Sequence, residues 1–278
     1  MDLFLLNIQL LKMINSFIKN VFNLFDLEIK RINKESSSVN IQSKKTDKLT
    51  LHSTSTGSYY LPSDAISDVV ANTIIAGDIF EKSVVDLASN YIKPNSTVLD
   101  VGSNYGQMSI LFSKLVGSKG KVHAFEANSW IYEILNKNIK VNGKSENIIP
   151  HFGAVHDVDN VTLIFSDIDF VDWGAYGSYG IDYNVNVGQE VSSITIDSFC
   201  FEEPISFMKI DIQGGDLNAM KGAIETIRKH QMPILFEYEY HFEDKFNFNF
   251  QQYVDFVNSI NYKFHKVING HNFLIIPK

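Results

Sequence analysis

Residues 97–128 read TVLDVGSNYGQMSILFSKLVGSKGKVHAFEAN. An apolar run stops at Asp100, glycines follow at 102 and 106, the amphipathic stretch QMSILFSKLVG comes next, and a second apolar run, KVHAFEA, stops at Glu126. Short apolar runs bounded by turn signals read as buried strands, and the three-and-four spacing between them reads as a helix. Strand, turn, helix, strand places two carboxylates at the ends of neighbouring parallel strands.

The same alternation continues outward. SWIYEILNKNIKVNG predicts a helix that Asn142-Gly143 closes, NIIPHFGAV a third strand, PISFMKIDIQGG a fourth and MPILFEYEY a fifth, with the helix DLNAMKGAIETIRKH between the last two. Near the C-terminus QQYVDFVNSI predicts a helix, and YKFHKVI with NFLIIPK around Asn269-Gly270 a hairpin that adds an antiparallel edge. Upstream, SYYLP predicts a short strand, residues 64–76 a helix capped by Ser63 or Asp64, and residues 80–92 a second helix that stops before Pro94. The expected fold is α/β, Rossmann-like, with a mostly parallel sheet and helices on both faces over residues 51–278.

Composition bounds the function. A chain of 278 residues, 45% hydrophobic and 20% charged, carries enough apolar material for one large domain plus an appendage. Its net charge of −8 argues against nucleic acid as a partner, because that affinity comes from clustered Lys and Arg. The single cysteine, Cys200, makes neither an internal disulfide nor a zinc site alone, which favours a reducing compartment and makes the cytoplasm the expected location.

Residues 1–50 read as an N-terminal helix and a polar linker. Leu3, Leu6, Leu10, Met13, Phe17, Val21 and Leu24 fall on one face of a helix, while Lys12 and Lys19 interrupt the run well short of the ~20 apolar residues of a membrane span. The apolar face needs a cover: the body of the protein or a second copy of the chain, and otherwise a peripheral contact with a membrane surface, although its polar face carries few basic residues.

Ligands of such sheets bind at the carboxyl ends of the strands, where strand order reverses. Gly102 and Gly106 let the chain turn and approach a ligand closely, Asp100 accepts hydrogen bonds from the loop or the ligand, and Glu126 stands where an acidic side chain takes both hydroxyls of a ribose. Dinucleotide binding expects G-x-G-x-x-G, with helix amides aimed at a pyrophosphate. Here the spelling is D-x-G-x-x-x-G with Asn104 at the middle position, which suits a phosphate-free ligand such as S-adenosylmethionine. A glycine pair alone is equally a strand-to-helix turn without a ligand; Glu126 is what favours the adenosine reading.

From residue 58 onward the chain resembles the FkbM family of S-adenosylmethionine-dependent methyltransferases. VLDVGSNYGQMSILFSK resembles the family's glycine-loop block, GKVHAFEAN the block that usually ends F-E-P-N, and NIKVNG its helix end. ITIDSF and FMKIDIQGGDLNAMKGA resemble the threonine-leucine-aspartate and K-x-D-x-E-G-x-E segments, with Gln213 where glutamate is more frequent and Asp216 shortening another glutamate. The resemblance implies a class I methyltransferase fold. It also implies that Asp100, Gly102, Ser103, Asn104 and Gly106 surround the methionine part of the cofactor, Glu126 its ribose, and Ala154 and Val155 its adenine. Asp211 would face both cofactor and acceptor, with Gln213 on the acceptor side.

A hydroxyl acceptor needs its proton removed or its pKa lowered by a metal. Asp211, Glu237 and His241 are therefore the expected catalytic groups. Asp211 and Glu237, with Glu239 or His241, are an expected set for a divalent cation such as Mg2+ or Mn2+, although strand-end carboxylates also cap helices and order loops. Residues 166–184 mix Trp173, Tyr176 and Tyr179 with glycines and acids, a composition that suits stacking on a sugar or equally a loop packed by its own aromatics. Methylation of sugar hydroxyls in surface polysaccharide or glycolipid pathways is a frequent role in the family. The expected reaction is O-methylation of a carbohydrate; a small-molecule hydroxyl or amine acceptor and a non-catalytic assembly protein are the alternatives.

Overall fold

A computed structural model describes residues 49–63, 67–166, 180–183 and 187–278, all within the second of the two units, Met1–Gln42 and Ser43–Lys278, into which the chain divides. The expected N-terminal helix and linker lie outside the described residues, as do Trp173, Tyr176 and Tyr179.

The strands in chain order are β1 (Leu49–Ser53), β2 (Ser58–Pro62), β3 (Thr97–Val101), β4 (Lys121–Glu126), β5 (Ile148–Phe152), β6 (Ala154–Val155), β7 (Thr162–Ser166), β8 (Gly188–Ile194), β9 (Ile205–Ile210), β10 (Ile234–Glu237), β11 (Tyr262–Ile268) and β12 (Asn272–Pro277). Seven of them form the main sheet in the order β11-β12-β10-β9-β3-β4-β5. β10, β9, β3, β4 and β5 pair in parallel, and β12 runs against both β10 and β11. The expected hairpin is there, but its second strand inserts beside β10, so β11 forms the edge and runs with the parallel set. Every residue of β3 and β9 is buried, as expected of central strands covered on both faces. Strand order reverses between β3 and β9, which defines the switch point.

The helix Ser129–Val141 shows how sequence builds the cover. Asn128 caps it, its side chain accepting from the N–H groups of Trp130 and Ile131 at 3.0 and 3.1 Å. Ile131, Ile134, Leu135 and Ile139 recur at helical spacing and are at most 3% exposed. Each such side chain contributes about 1.5–3 kcal/mol by leaving water, so Ile134→Ala would cost about 2–5 kcal/mol. Continuing the same face, Asn138 and Asn142, one turn apart, bond the backbone of β2: Asn138 accepts from Tyr60 N–H at 2.6 Å and Asn142 donates to Ser58 O at 2.6 Å. Side-chain amides thus take the part of a neighbouring strand for β2, whose other edge pairs with β1.

Several boundaries differ from expectation for local reasons. The helix expected over residues 64–76 runs Val69–Ile75, because Asp68 takes the cap, accepting from Ala71 N–H at 2.8 Å. The one expected over 80–92 runs Lys82–Ala88. DLNAMKGAIETIRKH splits into Asp216–Lys221 and Ile224–His230 at Gly222, where a Cβ would lie 1.9 Å from the carbonyl oxygen of His156. Besides the main sheet and the β1–β2 pair, residues 154–155, 162–166 and 188–194 form a small three-stranded sheet in the order β6-β8-β7, which flanks the segment expected as a loop. Among the described residues no helix is long and apolar enough to cross a membrane.

Candidate active site

The glycine loop is held by the chain's own backbone. Gly102 (φ +82°) and Ser103 both donate to Phe125 O, at 3.0 and 2.9 Å, tying the loop to β4. A Cβ on Gly102 would lie 1.9 Å from Asp211 O, and one on Gly106 (φ +84°) would lie 2.5 Å from Leu135 Cδ1. Gly102 is therefore demanded by packing against β9 as well as by its left-handed turn, and Gly106 chiefly by its left-handed turn, since the leucine end it meets can move. Asn104 adopts φ +49° and donates its N–H to Glu126 Oε2 at 3.0 Å.

Asp100 lies behind this loop, fully buried. Ser109 donates a short hydrogen bond to its Oδ2, while Oδ1 has no hydrogen-bond partner and sits 3.8 Å from Lys209 Nζ. Burial pushes its pKa up, with Lys209 and the Ser109 hydroxyl opposing. Asp100 and Gly106, expected around the cofactor's methionine part, support the loop and are not among the residues lining the cavity.

A cavity of about 390 Å³ opens at the carboxyl ends of β3, β4, β9 and β10. Gly102, Ser103, Asn104 and Glu126 line one side, with Phe125, Ala154 and Val155 next to them. Asp211, Gln213, Glu237 and Glu239 line the other. Glu126 accepts from Asn128 N–H at Oε1 (2.8 Å) and from Asn104 N–H at Oε2 (3.0 Å), leaving each oxygen a further lone pair for a ligand hydroxyl. Loss of water pushes its pKa up to about 7, with the amides pulling the other way. Pockets for ligands of cofactor size run from about 300 Å³ upward, so volume and donor set both fit an adenosine-bearing ligand.

The far side is crowded with acid. Gln213 (φ +55°) donates from Nε2 to Asp211 Oδ1 at 3.2 Å and to Glu237 Oε2 at 3.3 Å, so an amide bridges the two carboxylates. Asp211 Oδ2 lies 3.4 Å from Lys209 Nζ, and Lys209 also donates to Gly102 O at 3.3 Å. Asp216 is fully buried at the start of its helix, with Oδ1 accepting from Glu237 N–H at 3.1 Å. Burial and the neighbouring acids push Asp216 up to about 7 and Glu237 up to about 10, and the surrounding carboxylates raise Lys209 against its own burial. Glu239 instead pairs with His241 at 3.3 Å, and His241 is half exposed and off the cavity wall. Asp211, Glu237 and Glu239 therefore do not converge on one point as expected of a cation set, because a hydrogen-bond donor occupies the gap between the first two. Among the described residues, ligand atoms are grouped instead at Glu81, Glu237 and His271.

Lys209, His156, Tyr183 and Glu81 were not expected here, yet all line the cavity. A lone lysine in ISFMKI was the available signal, since a buried ammonium needs carboxylates. His156 and Tyr183, whose Nε2 and hydroxyl lie 2.7 Å apart, come from the ends of a short bridge and a loop that periodicity does not mark.

A model of the methyltransferase FkbM domain matches residues 100–264, more than half of the chain. The curated ribosomal protein L11 methyltransferase of Bacillus pumilus (strain SAFR-032) is 32% identical over 81 residues, covering 27% of this chain and 25% of that protein. Among solved structures, a methyltransferase FkbM from Methylobacillus flagellatus KT is 15% identical with a TM-score of 0.45, covering 74% of this chain and 52% of its own. An S-adenosylmethionine-dependent O-methyltransferase from Thermotoga maritima is 14% identical with a TM-score of 0.45, covering 82% and 77%. The chain thus spans a quarter of that curated protein and about half of the Methylobacillus chain. The matched span runs from Asp100 behind the glycine loop through both walls of the cavity to β11, and with it the chain belongs to the FkbM family of S-adenosylmethionine-dependent methyltransferases.

Proposed function

We propose that the protein moves the methyl group of S-adenosylmethionine to a hydroxyl of a carbohydrate. The observation that carries this reading is the Asp211–Gln213–Glu237 arrangement on the cavity wall opposite Glu126, where a weakly acidic hydroxyl would meet groups able to take its proton. The cofactor supplies, when bound, an electrophilic methyl on a cationic sulfur. Glu126 would hold the ribose through the lone pairs its two backbone bonds leave, and Ala154, Val155 and Phe125 would give the adenine an apolar wall. Lys209 fixes Asp211 in place, and Gln213 holds Asp211 and Glu237 toward the acceptor.

Glu237, pushed up to about 10, carries a proton at neutral pH in the ligand-free protein. Glu237 would ionise more readily beside a positively charged ligand and would then be able to take the acceptor's proton. The acceptor's oxygen then approaches the methyl in line, with positioning as the main contribution of the protein. The aromatic residues of segment 166–184 support a sugar through their composition, and the family's frequent role points the same way.

An amine acceptor is the second reading, favoured by the same excess of acid over Lys209. Transfer of labelled methyl to a panel of free and nucleotide-activated sugars, with amines alongside and with and without chelator, tests both. Sugar-dependent transfer supports the first, and transfer to amines alone replaces it with the second.

A further inference from the structure

We infer that Glu81, Glu237 and His271 form a site for one divalent transition-metal ion of the zinc class on the wall of the cavity. The three come from separate parts of the chain. Glu81 precedes the helix Lys82–Ala88, Glu237 ends β10, and His271 sits in the tight turn between β11 and β12. The register between β10 and β12, which pairs Glu237 with Asn272, sets His271 beside the strand end.

His271 Nε2 lies 3.7 Å from Glu81 Oε1 and 3.8 Å from Glu237 Oε1, and all three ligand atoms fall within 4.8 Å of one another. These gaps are too long for hydrogen bonds. With bonds of about 2.0–2.2 Å, ligand atoms around a tetrahedral zinc stand roughly 3.3–3.6 Å apart, so the two His271 gaps close on an ion with a shift of a few tenths of an ångström and the two carboxylates, within 4.8 Å of one another, with a side-chain adjustment of at most about 1.5 Å.

A second observation concerns Glu81 alone. Its Oε2 is buried and has no hydrogen-bond partner, in a side chain only 11% exposed. Its Oε1 accepts from Asn272 Nδ2 at 2.9 Å, which orients the carboxylate as outer-sphere bonds orient metal ligands. Glu81 also holds a left-handed backbone, φ +45°, at a helix start where its side chain makes no capping bond. A strained backbone and a bare buried oxygen together mark a carboxylate placed for something other than the helix. Lys209, the buried ammonium nearby, makes its close pairs with Asp100 and Asp211.

One imidazole with two carboxylates suits zinc or manganese better than magnesium or calcium, which prefer oxygen throughout. Glu81 and Glu237 also line the cavity, so the ion's open positions face the acceptor side. That last consequence rests on the methyl-transfer reading above; the binding itself does not.

The test is calorimetric titration of the metal-stripped full-length protein with Zn2+, Mn2+ and Mg2+, together with thermal melting. The expected result is one Zn2+ or Mn2+ per chain, at least about tenfold tighter than Mg2+. Glu81→Gln and His271→Ala should each weaken it about tenfold or more, while S-adenosylhomocysteine affinity shows that these variants remain folded. His241→Ala, outside the set, should bind metal as the parent does. Absence of saturable binding overturns the proposal, as does binding that survives in the Glu81→Gln, His271→Ala double variant. Binding of S-adenosylhomocysteine without metal would overturn the site and leave the methyltransferase reading standing.

Discussion

At the β3–β4 end of the cavity Glu126 is held by two backbone amides and Asp100 by the Ser109 hydroxyl, whereas at the β9–β10 end Asp211 and Glu237 share the Gln213 amide and depend on Lys209 for compensating charge. At the first end the partners, two peptide amides and a hydroxyl, do not titrate, although burial raises Glu126 to about 7 and Asp100 as well. The second carries more acid than base and is balanced by protons. A site can thus be built from one rigid wall that recognises and one charge-imbalanced wall that reacts.

The largest effect that would break this contrast is expected at Gly102. With a Cβ 1.9 Å from Asp211 O and φ at +82°, Gly102→Ala should cost at least about 4 kcal/mol, read by urea unfolding. A normally stable variant would mean that the loop is adjustable and the first wall not preformed.

The parent protein's response to pH comes next. Glu237 at about 10 and Asp216 at about 7 are raised above their unfolded values, so between those values the folded state binds more protons than the unfolded one. Their contribution, together with that of Glu126, also pushed up to about 7, is therefore greatest near the unfolded carboxylate pKa and falls as pH rises. His123 and His151, pushed down to about 4, act the opposite way only below about pH 6.5. The loss between pH 6 and pH 9 should be on the order of 3 kcal/mol, seen as a lower melting temperature. A flat profile would remove the charge imbalance from the second wall.

Glu126→Ala should weaken S-adenosylhomocysteine by about 1.5–3 kcal/mol in calorimetry and also lower the melting temperature, because the Asn104 and Asn128 amides lose their acceptor. Gln213→Glu, which restores the family's more frequent residue, replaces the bridging donor with another acid. It should steepen the alkaline loss by about 1 kcal/mol, and an unchanged profile would show that the amide bridge is not what holds Asp211 and Glu237 together. The smallest effect is expected at His241, half exposed and off the cavity wall, where Ala should change turnover less than about twofold.

The strand-to-helix alternation was legible because buried parallel strands must be apolar throughout: TVLDV and ISFMKI could be little else. Glu126 was legible from its place at a strand tip. The reasons for Gly102 and Gly106 were not, because the atoms they avoid belong to Asp211 and Leu135, remote in sequence. β7 and β8 escaped notice because their alternation is short and they flank an aromatic, glycine-rich stretch. Glu81 and His271 escaped because local pattern carries no trace of a meeting between a helix start and a hairpin turn. The expected grouping of Glu239 with Asp211 and Glu237 failed for a related reason: position along a strand end does not say which carboxylate turns outward to a histidine.

The pairing of β3 with β9 joins segments on either side of the whole β4-to-β8 excursion, with Val98 beside Phe207 and Val101 beside Ile210. Neither half of the chain alone can form the cavity, and a contact of such sequence separation forms late because the intervening chain must first be ordered. Ligand binding then acts as a check on completed folding: whatever binds across the switch point stabilises only molecules in which both halves have docked, and a refolding chain gains its affinity in the last step rather than gradually.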